Sequence, residues 1–189
     1  MPTSSQLLAT AVMALSISLV PAAARAASTV YGDGLAKVCY QLAKGGRADT
    51  PALRVCDAAV AAGDPDLHDR AATVVNRGII HLRRHEAAAA LADFDRAIAW
   101  LPELADAHVN RGAALILSAD YAGAIVAINR SLDLGPEDPQ DAYFNRAVAN
   151  EKLDHIPDAY RDYKKALELK PDWALPRSEL TRFTVRERR

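Results

Sequence analysis

The chain has 189 residues, and its 23 Lys and Arg nearly balance its 24 Asp and Glu, for a formal net charge of −1. This balance argues against a nucleic-acid-binding protein, because such proteins carry a basic excess. Charged residues make up 25% of the chain, which excludes a disordered polyelectrolyte and a polytopic membrane protein. Half of the residues are hydrophobic, mostly Ala and Leu, so the composition predicts one soluble domain of closely packed helices.

The first predicted element is an export signal over residues 1–26. Leu7 begins a stretch of 14 uncharged residues that ends at Val20, and this stretch is too short to cross a bilayer as a helix. The small residues that follow fit the A-x-A rule, which places signal-peptidase cleavage after Ala26. Because residues 1–6 contain no Lys or Arg, an uncleaved anchor or an unstructured leader is the alternative. We expect an exported protein that resides in the periplasm.

A helical hairpin is predicted next, over residues 27–70, and it contains both cysteines of the chain. Thr50 and Pro51 are typical of the N-cap and the first position of its second helix. Cys39 and Cys56 lie at similar distances on either side of the Gly-rich turn, so we expect them to face each other. An even cysteine count in an oxidising compartment favours a disulfide over a metal site. Such a bridge would stabilise the hairpin by about 3 kcal/mol.

Three copies of one sequence pattern follow this hairpin. Each copy opens with an Asn-Arg-small triplet, and the triplets recur at steps of 34 and 35 residues: Asn76-Arg77-Gly78, Asn110-Arg111-Gly112 and Asn145-Arg146-Ala147. At fixed intervals each copy then has an Ala, a large residue, a small residue and a Pro: Ala90, Phe94, Ala97 and Pro102; Ala124, Ile128, Ser131 and Pro136; Ala159, Tyr163, Ala166 and Pro171. We expect two antiparallel helices per copy, with the small residue of the triplet opposite the Ala. One hairpin cannot bury its own apolar face, so the copies are predicted to stack.

This pattern resembles the tetratricopeptide repeat, whose units carry small residues, aromatic residues and a closing Pro at these positions. The resemblance covers about residues 71–173 and implies an all-α solenoid of antiparallel helix hairpins. The expected units are repeats at residues 71–104, 105–138 and 139–173, followed by a capping helix and basic tail at residues 174–189. We expect Asp172 to be the N-cap of this helix, which reaches to about Arg188, and Trp173 and Phe183 to cover the open end of the stack.

The pattern departs from the family at one position in each copy. Arginine stands there in place of the usual Leu, at Arg77, Arg111 and Arg146. We expect these arginines to pair with carboxylates on the second helices of the hairpins, such as Asp93, Asp95 and Asp162.

By this resemblance the chain is a scaffold or adaptor that recognises other proteins without catalysis. In the family the first helices line a concave groove, into which the Asn of each triplet points. The expected groove residues are Asn76, Asn110 and Asn145, with Val75, Val109 and Phe144 on the floor and Asp106 and Asp141 at an acidic edge. Since a carboxamide both donates and accepts hydrogen bonds, the row predicts binding of an extended or internal peptide segment, and not of an acidic C-terminus. The alternative is that these amides bridge neighbouring helices.

Two other functions stay open on the sequence alone. His81 and His85 have the i, i+4 spacing that can bind a metal, although His81 stands where the family packs an aromatic residue. An enzyme built on the repeats, with or without such a metal, would lack any recognisable catalytic motif. A self-assembling structural module is the other possibility. We expect no cofactor, no nucleic-acid partner and no membrane span after removal of the signal.

Overall fold

The computed structural model describes residues 7–11 and 34–187, with the side chains of residues 34–183. The helices in these ranges are α1 (Leu35–Lys44), α2 (Thr50–Ala62), α3 (Leu67–Arg83), α4 (Ala87–Trp100), α5 (Ala105–Leu117), α6 (Tyr121–Leu134), α7 (Pro139–Lys152), α8 (Ile156–Leu169) and α9 (Ala174–Leu180). The strands are β1 (Leu7–Ala11) and β2 (Phe183–Glu187), which pair antiparallel.

Helices α1 to α8 form four antiparallel hairpins that stack in chain order. Each helix packs on the next one along the chain, and α1, α3, α5 and α7 also contact one another in that order. The first helices of the hairpins therefore form one layer of the solenoid, and the second helices form the other. The predicted all-α solenoid is confirmed, with the small β1–β2 sheet as an addition at its C-terminal end.

Small residues set the distance between the two helices of a repeat. A Cβ atom added to Gly78 would lie 2.6 Å from Cε1 of Phe94, and one added to Gly112 would lie 2.9 Å from Cδ1 of Ile128. The sequence predicted that each glycine faces the Ala of the second helix, but the side chain nearest to the glycine is that of the large residue one turn later. The carbonyl oxygen of Ala124 would also lie near a Cβ atom at Gly112, at 3.3 Å. Helical side chains lean toward the N-terminus of their helix, which brings these large side chains level with the glycines.

Each repeat turns between its helices through one residue in the left-handed region. His85, Ala119 and Asp154 hold equivalent places in the three repeats, and their φ angles are 61°, 62° and 61°. A residue with a Cβ atom is disfavoured there by about 1–2 kcal/mol, and Asp tolerates the conformation better than Ala does. The three turns are therefore alike in geometry but unequal in strain.

The N-terminal hairpin contains the predicted disulfide. Cys39 on α1 and Cys56 on α2 are bonded and buried. The N-cap of α2 is Asp49 and not Thr50, because the Asp49 carboxylate accepts a hydrogen bond from the Ala52 amide at 2.9 Å. The hairpin is thus closed covalently across its middle and capped one residue earlier than the sequence suggested.

The boundary between the N-terminal hairpin and the first repeat also differs from the prediction. Helix α3 begins at Leu67, four residues before the expected start of the repeat at residue 71. The Asp66 carboxylate accepts hydrogen bonds from the amides of His68 and Asp69, at 2.8 and 3.0 Å. This cap starts the helix before the repeat pattern becomes visible in the sequence.

The capping helix is shorter than the sequence predicted. Helix α9 has Trp173 as its N-cap and ends at Leu180, and residues 183–187 form β2 where a helix to Arg188 was expected. The sequence Phe-Thr-Val that opens β2 combines an aromatic and two β-branched residues, which favour an extended strand. The end of the stack is nevertheless covered as expected, since Trp173 and Phe183 pack against the aromatic residues of the last repeat.

Most of the predicted export signal lies outside the described residues, including the cleavage site after Ala26. The part that is described, Leu7–Ala11, is the strand β1 that pairs with β2. Within the described ranges, no helix combines the length and the apolarity that crossing a bilayer requires. Export and cleavage stay predictions from the sequence.

Candidate peptide-binding surface

The asparagine row is placed by three consecutive first helices. Asn76 on α3, Asn110 on α5 and Asn145 on α7 hold equivalent positions in one layer of the solenoid. Their exposed fractions are only 0%, 3% and 2%, so the side chains lie deep in this layer. The sequence grouped the three residues by their spacing, but it gave no measure of how deeply their side chains would be buried.

The three amides differ in their hydrogen bonds. Asn110 donates from Nδ2 to the carbonyl oxygen of Asp106, one turn earlier in its own helix, at 2.8 Å. Asn76 is fully buried, and within the described structure neither its Nδ2 nor its Oδ1 has a hydrogen-bond partner. Among the described residues, no hydrogen bond links these amides to a neighbouring helix. Asn76 is therefore the member of the row whose amide has no partner among the described residues, and its burial means that a ligand reaches it only if neighbouring side chains move.

The expected floor and edge of the groove are only partly assembled. Val75 and Val109 are buried beside their asparagines. Phe144, in contrast, belongs to the C-terminal cluster, where its ring lies 5.4 Å from that of Tyr163 and 4.9 Å from that of Trp173. Asp106 is half-buried, whereas Asp141 is buried and so does not form an exposed acidic edge. The sequence could not foresee this, because a repeat at the end of the stack has a different neighbour from one in its middle.

The arginine of each triplet pairs with a carboxylate on a second helix, as the sequence predicted. Arg77 donates from Nε and Nη2 to the Asp93 carboxylate at 2.9 and 2.6 Å, and from Nη1 to Asp57 at 3.1 Å. Arg146 repeats this geometry, with two bonds of 2.8 Å to Asp162 and one of 2.7 Å to the amide oxygen of Asn129. The bonds to Asp93 and Asp162 raise the pKa of the two guanidinium groups.

Arg111, in the middle repeat, has a different environment. It donates from Nε to Asp95 of the preceding repeat at 2.6 Å. The position equivalent to Asp93 and Asp162 in this repeat is Ala127, which offers no carboxylate. All three predicted arginine–carboxylate pairs thus exist, but only two of them lie within a single hairpin. This network orients the first helices relative to the second ones and thereby fixes the layer that holds the asparagines.

The two histidines considered as metal ligands are engaged separately. His81 Nδ1 lies 2.6 Å from the Glu86 carboxylate, while His85 is exposed in the turn. The hydrogen bond from His81, together with one from Arg84, lowers the pKa of Glu86. In the part of the chain that the structure describes, no group of three His, Cys, Asp or Glu side chains could hold a metal ion.

A second surface, which the sequence did not predict, lies at the C-terminal end of the solenoid. Arg182 holds the Glu151 carboxylate through two hydrogen bonds of 2.7 and 2.9 Å, and the Tyr163 hydroxyl donates to the same carboxylate at 3.0 Å. Burial and the nearby carboxylates raise the pKa of the Tyr163 hydroxyl. An open cleft of about 620 Å³ lies beside this cluster, between α8, α9 and Phe183. The aromatic residue and two β-branched residues after Arg182 were the available sequence signal.

Comparison with known proteins relates this architecture to one family. Residues 140–173 match the model of the tetratricopeptide repeat. A protein described as STIP1 homolog from Dictyostelium discoideum is 40% identical over 65 residues, which cover 34% of this chain and 11% of that protein. Hsp70-Hsp90 organizing protein 2 from Arabidopsis thaliana is 34% identical over 70 residues, 37% of this chain and 12% of the relative. The chain therefore matches only about a tenth of the length of these relatives.

Solved structures share the fold at low sequence identity. MamA from Desulfovibrio magneticus RS-1 superposes with a TM-score of 0.60 at 21% identity, over 79% of this chain and 82% of that one. The first tetratricopeptide-repeat domain of Spaghetti (RPAP3), solved with the HSP90 peptide SRMEEVD, gives a TM-score of 0.55 at 22% identity, over 59% and 87% of the two chains. The last repeat thus matches the tetratricopeptide-repeat model, and the two repeats before it have the same hairpin geometry, so the chain has the fold of tetratricopeptide-repeat domains.

Proposed function

We propose that this protein is a cell-envelope adaptor that binds an extended peptide segment of a partner along its layer of first helices, without catalysing a reaction. The observation that carries the proposal is the asparagine row, with one amide at the same position of α3, α5 and α7. Neighbouring helices lie about 8–10 Å apart, and an extended peptide advances about 3.3 Å per residue. One asparagine therefore matches about every third peptide residue.

Asn76 supplies the strongest single reason to expect a ligand at this layer. A buried amide without hydrogen-bond partners destabilises a folded protein by about 1–3 kcal/mol. A peptide backbone that reached Nδ2 and Oδ1 of Asn76 would satisfy both atoms and remove that cost. Asn110 already bonds to its own helix, so we expect it to contribute less to binding than Asn76.

The charge of the layer indicates which peptides would fit. The solved relative binds a peptide of HSP90 that ends in two Glu, a Val and an Asp. Here Val75, Val109 and the half-buried Asp106 lie near the asparagines, and the arginine that follows each asparagine is held by a carboxylate. Acidic and apolar side chains disfavour an acidic terminus and favour an internal segment that is neutral or basic.

The envelope location is supported by the sequence features at the N-terminal end. The uncharged stretch and the A-x-A site favour export, and the Cys39–Cys56 disulfide fits an oxidising compartment. N-terminal sequencing of protein recovered from its own cell envelope tests this part. We expect a chain that starts at Ala27 and has no alkylatable thiol before reduction, whereas an intact Met1 would contradict export by cleavage.

The binding site is tested best by Asn76→Leu, because this change should separate binding from stability. Leu has the branched shape of Asn and needs no hydrogen bond but is larger, so overpacking offsets the gain from removing the unsatisfied amide, and we expect the free energy of unfolding to change by less than about 2 kcal/mol. A partner recovered from the envelope fraction with the wild-type protein should bind this variant at least tenfold more weakly. The control is Gln41→Ala, which removes an exposed amide on α1. Unchanged affinity in a stably folded triple variant of Asn76, Asn110 and Asn145 to Ala would place the binding site elsewhere.

A further inference from the structure

The C-terminal end of the solenoid presents a strand beside an open apolar cleft. Strand β2 pairs on one side with β1, in a register that joins Leu7 to Glu187 and Ala11 to Phe183. The cleft of about 620 Å³ lies beside Phe183. Its apolar lining comes from Tyr160, Leu167, Pro171 and Leu180, and three charged residues also line it: Lys164, Glu168 and Arg177. This combination of a strand and an apolar cleft is the arrangement that proteins use to bind extended peptides by strand addition.

The start of β2 is held in place by contacts that do not involve β1. Arg182, just before the strand, is fixed by its two hydrogen bonds to Glu151 on α7. The ring of Phe183 lies 5.7 Å from that of Tyr160 and 5.9 Å from that of Tyr163, both on α8. A strand fixed by its own neighbours is preorganised, so its pairing with a second strand costs less conformational entropy.

The segment seated on β2 shows which chemistry the site takes. Its sequence is Leu-Leu-Ala-Thr-Ala, which has no charged side chain, and it lies against α8 as well as β2. Strand addition draws affinity from main-chain hydrogen bonds, and apolar side chains add to it where they meet an apolar wall. The site therefore fits an extended and uncharged segment.

We propose that β2 is a strand-acceptor site for an extended, uncharged peptide segment, and that in the full chain its own Leu7–Ala11 occupies this site beside the open cleft. The site lies on α8, α9 and β2, away from the asparagine row, and so is distinct from the groove proposed above. Because residues 7–11 belong to the predicted signal, removal of residues 1–26 would empty the acceptor. A partner segment of the same chemistry could then bind there.

The test starts from the full chain with a protease recognition sequence inserted after Ala26. After cleavage, we expect the fragment of residues 1–26 to co-elute with the body of the protein in gel filtration. An excess of a synthetic peptide with the sequence of residues 5–13 should displace it, and the same peptide with Leu8→Lys should not. Immediate loss of the fragment from a body that still melts cooperatively would overturn the proposal, as would equal displacement by both peptides.

Two neighbouring proline substitutions provide a matched pair of controls. Successive residues of a strand point their N–H groups alternately toward and away from the neighbouring strand. One of the two variants, Thr184→Pro or Val185→Pro, therefore loses a hydrogen bond to β1. The other loses an N–H group that points away from β1. We expect release of the cut fragment to be at least tenfold faster in one variant and close to wild type in the other. Equal rates in the two variants would show that strand pairing does not hold the segment.

Discussion

The first and third repeats differ from the middle repeat in how their two helices are tied together. Arg77 and Arg146 each hold a carboxylate of their own hairpin through two hydrogen bonds, and these carboxylate side chains are only 5% and 9% exposed. In the middle repeat Ala127 stands at the carboxylate position. Arg111 instead donates one hydrogen bond to Asp95 of the preceding repeat, and the Asp95 side chain is 55% exposed.

The comparison shows that the same arginine can act within a hairpin or between hairpins, depending on one residue of the second helix. In the flanking repeats the ion pair joins first and second helix. In the middle repeat, the association of the first helix with the second depends mainly on the packing of Gly112 against Ile128. We therefore expect the middle hairpin to be the least stable internal part of the stack.

The largest difference should appear when the carboxylates are removed. Asp162→Ala leaves the half-buried guanidinium of Arg146 without its main partner, and we expect the free energy of unfolding to fall by about 3 kcal/mol. Asp95→Ala removes the exposed partner of Arg111 and should cost less than about 1 kcal/mol. Urea unfolding of the two variants measures both values. Equal losses would contradict the distinction between buried and exposed pairs.

Gly112→Leu tests the packing that holds the middle hairpin. Any side chain at this position meets Ile128, so the helices must separate, and we expect a loss of about 2–3 kcal/mol. Because each unit of a solenoid supports its neighbours, the transition should also become less cooperative. The control is Ala119→Leu in the exposed turn, which should change the melting temperature little. Similar melting temperatures for the two variants would show that the assigned contact is wrong.

Ala127→Asp would give the middle repeat the ion pair of its neighbours. The equivalent Asp93 and Asp162 are as buried as Ala127, so the site can hold a carboxylate when an arginine faces it. We expect stability to stay unchanged or to rise by up to about 1 kcal/mol. In an Arg111→Ala background the same substitution should destabilise, giving a coupling free energy of about 2 kcal/mol. Additive effects in this double-mutant cycle would mean that no pair had formed.

The smallest expected effect concerns the three left-handed turns. Ala119→Gly should stabilise the protein by about 0.5–1 kcal/mol, because glycine adopts a positive φ without steric cost. Asp154→Gly should gain less, since Asp tolerates this conformation better than Ala. Differential scanning calorimetry should show a rise of about 2–4 °C for each kcal/mol in a chain of this size. A larger gain at Asp154 than at Ala119 would reverse the expected order of strain.

The sequence predicted the features that recur in every repeat, but it did not predict where α3 begins or where α9 ends. The recurring triplets and prolines predicted the hairpins, their order and the arginine–carboxylate pairs, because these features depend on spacing along the chain. The early start of α3 depends on one cap at Asp66, and the short α9 depends on strand propensity after Arg182. The repeat period of 34 or 35 residues contains no information on the start of α3 or on the length of α9.

The candidate site shows the same limit in a different form. Spacing placed the three asparagines on one layer, but burial and hydrogen bonding depend on neighbours that are far away in the chain. Phe144 illustrates this, since its pattern equivalents are valines while its own surroundings are the aromatic rings of the cap. Asn76 and Asn110 share a position in the pattern, yet only the latter bonds to its own helix.

The disulfide also decides how mechanical load would travel through the molecule. A tether at the N-terminal end would pull on α1, and tension that reaches Cys39 passes through the covalent bridge directly to Cys56. The loop between them is thereby shielded from extension, and the force arrives at α2 and then at the non-covalent contacts of the repeats. If two partners pulled on the protein, the segment between Cys39 and Cys56 would not extend, and the repeats would unfold first.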